Sequence, residues 1–293
     1  MLDTHAVFDR SCLLQLSTRM WQGQKMVEPS VMERLGDAGW LKGRKHLVDP
    51  DHLAPVKAVV GKARTMLRKI ALPFPIDGLT LVPKESIETI EAQLHDLQVE
   101  FWMEVGNFAN RYQACREEAE VILGELFSET DYPVDIASRF GFEWRYVQLT
   151  VPGHSRVLSP EVYARERQKF MDLMETTRDE AVAALREEFA GLVSHMVDRL
   201  AVGDNGKPKV LRASMVEKLD TFISGFETRN LFEDEELEEL VGMARRILSG
   251  VDVESLRHNE TVKQRVQEDM TRLREAVDES IEDLPRRRIL MAA

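Results

Sequence analysis

Residues 87–126 read IETIEAQLHDLQVEFWMEVGNFANRYQACREEAEVILGEL, and the spacing of their apolar positions decides what kind of molecule this is. Ile87, Ile90, Leu94, Leu97, Phe101, Val105, Phe108, Tyr112, Cys115, Ala119, Ile122 and Leu126 follow one another at steps of three or four. A helix brings residues three and four apart onto one face, so these steps trace a single apolar stripe. The spacing predicts one helix over residues 84–127, on the order of 65 Å long at 1.5 Å per residue. A rod of that length exceeds the width of a compact domain. Its stripe must be covered by another long helix, from this chain or from a partner.

A second rod is available. Ser159-Pro160-Glu161 supplies an N-cap, a proline at the first helical position and an acidic first turn. Tyr163, Phe170, Met174, Ala181, Leu185, Phe189, Leu192, Met196 and Leu200 then form a stripe to about residue 202. Between the rods, Phe140, Phe142, Trp144 and Tyr146 alternate with Gly141, Glu143 and Arg145, the two-residue period of a strand over residues 140–152. Cys12, Leu14, Leu16, Thr18 and Met20 alternate in the same way before Gly23. A lone strand is unstable, so these two are expected to pair.

The expected architecture is mainly α: a long antiparallel helical hairpin, coiled-coil-like, with a small two-stranded β element and a C-terminal helical bundle. Three regions follow. Residues 1–83 form an N-terminal basic region with a strand, a short helix over residues 30–35 and a helix over residues 50–71. That last helix opens at Asp49-Pro50 and carries Lys57, Lys62, Arg64, Arg68 and Lys69 toward its polar side. Residues 84–202 form the hairpin with the inserted strand at 140–152. Residues 203–293 form a C-terminal helical region, with a turn over 203–209, helices near 214–226 and 234–249, and a last helix capped by Asn259.

Composition narrows the function classes. Of 293 residues, 43% are hydrophobic and 31% charged, which describes a globular chain with wide solvated faces. The net charge of −12 is uneven: residues 1–74 hold 12 Lys/Arg against 7 Asp/Glu, and the rest hold 27 against 44. Phosphate binding needs local positive charge, so the acidic region is a poor nucleic-acid ligand and the basic one is not. The 2 cysteines, Cys12 and Cys115, fit a reduced, cytoplasmic setting. The N-terminus has no secretory pattern, and no stretch approaches the length of a membrane span.

No catalytic centre is legible. There is no phosphate-loop spacing, and GDNGKPK at 203–209 reads as a turn. His46 and His52 stand near Asp49 and Asp51, where the plainer reading is helix-cap chemistry rather than metal ligation. Cys115 lies on the apolar stripe. The acidic run at 233–239 opens a helix, where negative charge faces the positive end of the dipole. The expectation is therefore no enzyme, no cofactor and no metal.

The sequence nominates a recognition surface instead. Trp40, Lys42, Arg44 and Lys45 sit together in a glycine-broken loop, and Trp21 and Lys25 come close if the strand turns back. With Trp144 and Tyr146 of the aromatic strand they form the candidate partner-binding set. The plainer alternative is a tryptophan that plugs the core beside solvated lysines.

Three stretches carry a resemblance: LSTRMWQGQKMV (16–27), the run from GRKHLVDP to VEFW (43–102), and RFGFEWRYVQL (139–149). Over roughly residues 10–200 the chain resembles an uncharacterised bacterial and phage domain-of-unknown-function family. Members are often encoded near a MoxR-type AAA+ ATPase and a von Willebrand factor A-like protein. The resemblance implies an adaptor, substrate or structural component of an ATPase-driven remodelling system, and it defines no catalytic residue. The leading expectation is thus an interaction or scaffold protein with a protein partner, and a homo-oligomer through its long helices. The alternatives are a nucleic-acid-associated protein using the basic N-terminal region, and a membrane-active helical effector.

Overall fold

A computed structural model describes residues 4–37, 39–149, 159–201 and 213–282. In chain order the elements are α1 (Thr4–Asp9), β1 (Ser11–Arg19), β2 (Gln24–Met26), α2 (Pro29–Met32), β3 (Arg44–His46), α3 (Ala54–Ile70), β4 (Leu72–Pro73), β5 (Leu79–Pro83) and α4 (Ile87–Leu123). There follow β6 (Gly141–Val147), α5 (Pro160–Leu200), α6 (Ala213–Arg229), α7 (Glu235–Leu248), α8 (Val253–His258) and α9 (Glu260–Glu282). The protein is mainly helical with a small antiparallel sheet. The expected turn at 203–209, the end of the inserted strand at 150–152 and the C-terminal tail lie outside the described residues.

The chain divides into two compact units, each built from separated stretches. The α4 unit comprises Leu14–Lys69 and Ile87–Val147; the α5 unit comprises Met1–Leu13, Ile70–Ser86 and Gln148–Ala293. Four strands are hydrogen-bonded in the order β4-β5-β1-β6, and β4 pairs antiparallel with β5 through Leu72↔Leu81 and Pro73↔Thr80. The N-terminal and aromatic strands are neighbours, as their alternation predicts, but within a sheet of four rather than a ribbon of two. The added strands are very short, and LPFPIDGLTLVP offers too little alternation to announce them.

In the α4 unit, α4 follows a single 3-10 turn at Lys84–Ser86 and ends where Gly124 adopts φ +51, the left-handed stop that glycine takes without strain. Its buried residues are Ile90, Leu94, Phe101, Val105, Phe108, Tyr112, Cys115 and Ala119, the centre of the stripe read from sequence. Aromatic rings cover the centre of that stripe. The Phe140 ring lies 6.4 Å from Phe101 and 6.0 Å from Phe108, and Phe142 lies 5.4 Å from Phe101. Trp21 completes the cover, 6.0 Å from Phe108 and 5.8 Å from Tyr112. These are tilted and edge-on ring contacts, the geometries that aromatic quadrupoles favour. Gln98 of α4 donates to the Phe142 carbonyl at 2.8 Å and Arg19 of β1 to the Phe140 carbonyl at 3.1 Å, which fixes the strand over the helix.

Asp49 caps the approach to α3, accepting from the Asp51 amide at 2.9 Å. A 3-10 turn at Pro50–His52 intervenes, so α3 starts four residues later than the cap predicts. It buries Val56, Val59, Val60, Ala63 and Leu67, and its Lys62 bonds Glu100 of α4 at 2.6 Å. At Gly23 the chain reverses with φ +62, and a Cβ there would stand 2.9 Å from Leu53 Cδ1, so only glycine fits. The reversal lets β2 pair antiparallel with β3, a three-residue ribbon too short for the alternation rule to detect.

In the α5 unit, Ser159 caps α5 through the Val162 amide with Pro160 behind it, as read from sequence. The face of α5 that carries Met174, Ala181, Leu185, Phe189, Val193 and Met196 packs chiefly on α9 and then on α6. Phe189 stacks on Phe222 at 5.3 Å. The two long helices, expected to zip together, belong to different units. α9 and α6 pack on α5, while α7 packs on α9 and α6 and α8 on α9. A three–four repeat specifies that a face is buried and leaves open what buries it.

One buried cation ties this bundle together. Arg186 of α5 makes two bonds of 2.8 Å to the Asp234 carboxylate, reaches Glu236 at 2.8 Å and donates to the Ser280 carbonyl at 2.5 Å. Asp234 in turn caps α7 through the Leu237 amide. Three helices therefore meet at one guanidinium. Removing one partner of a buried pair costs about 3–5 kcal/mol, whereas an exposed pair contributes about 1 kcal/mol at most. Asp234→Ala is expected to lower stability by about 3 kcal/mol and the half-exposed Glu236→Ala by under about 1 kcal/mol, read from urea unfolding curves.

Candidate partner-binding surface

The nominated residues do not form one surface. Trp40, Lys42 and Arg44 belong to a small lobe between β2 and β3. Its base continues the ribbon, with the Val27 amide on the Gly43 carbonyl at 2.9 Å and the Leu47 amide on the Gly23 carbonyl at 2.8 Å. Its tip is an Asp37 turn: the Gly39 amide donates to the Asp37 carboxylate at 2.7 Å, and the Trp40 and Leu41 amides donate to the Asp37 carbonyl at 3.0 Å. Leu41 folds back over Gly36, and Met32 over Gly43. This leaves Trp40 91% exposed with Leu35, Met26, Lys42 and Arg44 outward around it. The core-plug alternative does not describe Trp40.

It does describe Trp21, whose ring is part of the cover over α4. Lys25 and Lys45 are likewise turned inward in function. They face each other across the β2–β3 ladder, where two like charges repel. Both ammonium groups bond the carboxylate of Asp131, Lys45 at 2.6 Å from Oδ2, and Lys45 also donates to the Leu126 carbonyl at 2.5 Å. The Asp131 side chain is only 2% exposed. Desolvation works against its charge, but hydrogen bonds from Lys25 and Lys45 outweigh that and hold the carboxyl below its ordinary value. Two of the four nominated cations are thereby committed to an internal ion triad. Asp131 lies far along the chain, in a 3-10 turn at Glu129–Asp131, and no sequence signal marked it.

Beside the triad, the Arg116 guanidinium lies 5.9 Å from the Tyr112 ring centroid and 5.6 Å from that of Tyr132, and it pairs with Glu129. Both tyrosine hydroxyls are buried without a hydrogen-bond partner among the described residues. Burial pushes the Tyr112 phenol up to about 12, so it stays neutral across the physiological range. Trp144 and Tyr146 meet elsewhere: the indole N–H donates to Glu91 Oε2 at 2.8 Å and the phenol to the same oxygen at 2.9 Å. They form a polar clamp between β6 and α4.

The histidines near Asp49 and Asp51 separate. His46 Nδ1 lies 3.3 Å from Gln24 Nε2 across the ribbon, and His52 lines an open pocket of about 460 Å³ with Asp51, Glu104 and Arg111. Among the described residues, no group of three or more His, Cys, Asp or Glu is placed to hold a metal, and no helix is long and apolar enough to cross a membrane. Cys115 is buried on the stripe, where desolvation raises its thiol above the ordinary value.

A mainly helical chain with an aromatic strand laid over one long helix is the class this fold defines. The chain belongs to the family described as Protein of unknown function (DUF3150), which it matches over residues 8–249. No curated protein and no solved structure matches the chain.

A carboxyl held below its ordinary value contributes stability that is full above that value and fades as pH falls from there through the lower value of the folded state. Asp131→Asn is expected to cost about 3 kcal/mol at neutral pH, because it leaves two partly buried ammonium groups facing each other. The gap between the two proteins should narrow as the pH falls below about 4. Urea unfolding at pH 7 and pH 3 measures both values; an equal gap at the two would remove the triad as its source.

Proposed function

We propose that this protein is a non-catalytic interaction protein, an adaptor or structural component of an AAA+ ATPase system, that engages a protein partner through the Trp40 lobe. One observation carries the reading: Trp40 stands 91% exposed at the tip of a hydrogen-bonded turn, flanked by Leu35, Leu41, Lys42 and Arg44. Exposing a tryptophan keeps a large apolar area in water, and tryptophan and arginine are the side chains most enriched at interface hot spots. The turn around Asp37 fixes the backbone that carries Trp40, so less backbone freedom is lost on binding. The resemblance to a family encoded beside a MoxR-type AAA+ ATPase supplies the class of partner.

A nucleic-acid reading draws on the same three residues, since a base can stack on Trp40 while Arg44 and Lys42 meet phosphate. It is weakened by the commitment of Lys25 and Lys45 to Asp131, which halves the basic cluster.

The test is affinity capture from the native host with the wild-type chain and with Trp40→Ala plus Leu35→Ser. Recovery of an AAA+ ATPase that falls at least tenfold in the variant is the expected result. Undiminished recovery would remove the lobe as the docking site. Binding of single-stranded DNA that weakens with salt and vanishes in Trp40→Ala plus Arg44→Ala would favour the nucleic-acid reading instead.

A further inference from the structure

The lobe that carries Trp40 has no core of its own. No described residue from Gln24 to His46 is buried. Its apolar side chains fold onto the lobe itself, Leu41 over Gly36 and Met32 over Gly43. At its base the chain enters through Gly23 and leaves through Leu47, both buried and joined by the Leu47 amide on the Gly23 carbonyl. Above that base, among the described residues, only Lys25 and Lys45 form a hydrogen bond or ion pair with anything outside the lobe. What they reach is fixed to α4. Lys45 donates to the Leu126 carbonyl in the 3-10 turn that closes α4, and both ammonium groups meet Asp131, whose amide donates to the Ser128 carbonyl at 3.0 Å. Glu129 of the Asp131 turn pairs with Arg116 of α4, whose guanidinium lies against the rings of Tyr112 and Tyr132.

We infer that the lobe is an arm that pivots on Gly23 and Leu47 and is latched to the end of α4 by Asp131, so that the latch sets the direction in which Trp40 points. The ribbon of three residue pairs and the Asp37 turn hold the arm together internally. A two-stranded ribbon gains little stability by itself, and no buried side chain of the arm fastens it to the body. Its orientation therefore falls to the two lysines. With Asp131 between them, both ammonium groups have a partner whose side chain is only 2% exposed, and the pairing is poorly screened. Without that carboxylate the lysines repel across the ladder, and the Leu126 carbonyl alone is left to hold the arm. A latched arm offers Trp40 in one direction and a released arm in many, so the latched fraction scales the affinity of whatever docks on the ring.

The consequence for docking rests on the reading of Trp40 as a partner-binding residue, but the latch is tested without any partner, so the two fail separately. Nitroxide labels at Leu35→Cys on the arm and Ile122→Cys on α4, both at exposed positions, are placed in the full chain with Cys12→Ser and Cys115→Ala. Double electron–electron resonance then reads the distance from arm to helix. The intact triad should give one narrow distribution, and Asp131→Asn should widen it by about twofold or more. Lys25→Met plus Asp131→Asn plus Lys45→Met removes the three charges together, strands none of them, and should widen it as far. This triple variant decides the matter where Asp131→Asn alone does not fold, and an unchanged near-ultraviolet circular dichroism spectrum verifies the fold of each protein. Lys62→Met, which breaks the pair with Glu100 elsewhere in the same unit, should leave the distribution narrow. A distribution that stays narrow in the triad variants, one already wide with the triad intact, or equal widening in Lys62→Met overturns the inference.

Discussion

The contact of Phe140 and Phe142 with Phe101 and Phe108 is the constraint that organises the α4 unit. A long helix with one apolar stripe is unstable in water until that stripe is covered. Here Phe140, just before the seven-residue β6, and Phe142 within it cover the centre of the stripe, with Phe140 reaching both Phe101 and Phe108. With Trp21 closing the far end, the strand and the turn after β1 are both committed to one face of α4. The opposite face is thereby left to solvent, with Val99, Trp102 and Met103 on it.

Charge plays the second part, in the same form twice. Arg186 gathers Asp234, Glu236 and a carbonyl of α9 in one unit; Asp131 gathers Lys25 and Lys45 in the other. In both, a buried ion is met by several partners, so it is never left uncompensated. Each cluster joins elements that lie far apart in the chain. The lysines across the ribbon would repel without Asp131, and the ribbon is what supports the lobe bearing Trp40.

Much of this was legible in the sequence where the signal is local. The stripe of α4, the Ser159 and Asp49 caps, the Gly23 break and the pairing of the two alternating strands all rest on neighbours a few positions apart. The covering of α4 was not legible, because periodicity reports burial and is silent about the covering group. The ion triad was not legible either: Lys25 and Lys45 look like free cations until Asp131 arrives from a distant turn. Trp21 and Trp40 read alike as aromatics beside lysines, yet one ring joins the core and the other stands in water. Their difference is set by Gly23 and by the Asp37 turn, which steer the chain inward and outward.

The interleaving of the two units along the chain sets an order of assembly during synthesis. The α4 unit has all its residues once the ribosome has delivered Val147, whereas the α5 unit begins with the first thirteen residues and is complete only after α9. Domains fold as units from the N-terminus onward as they emerge. The opening residues of the protein must therefore wait, tethered to an already folded neighbour, until the last helix leaves the exit tunnel. That interval is when chaperones would find this chain half-finished.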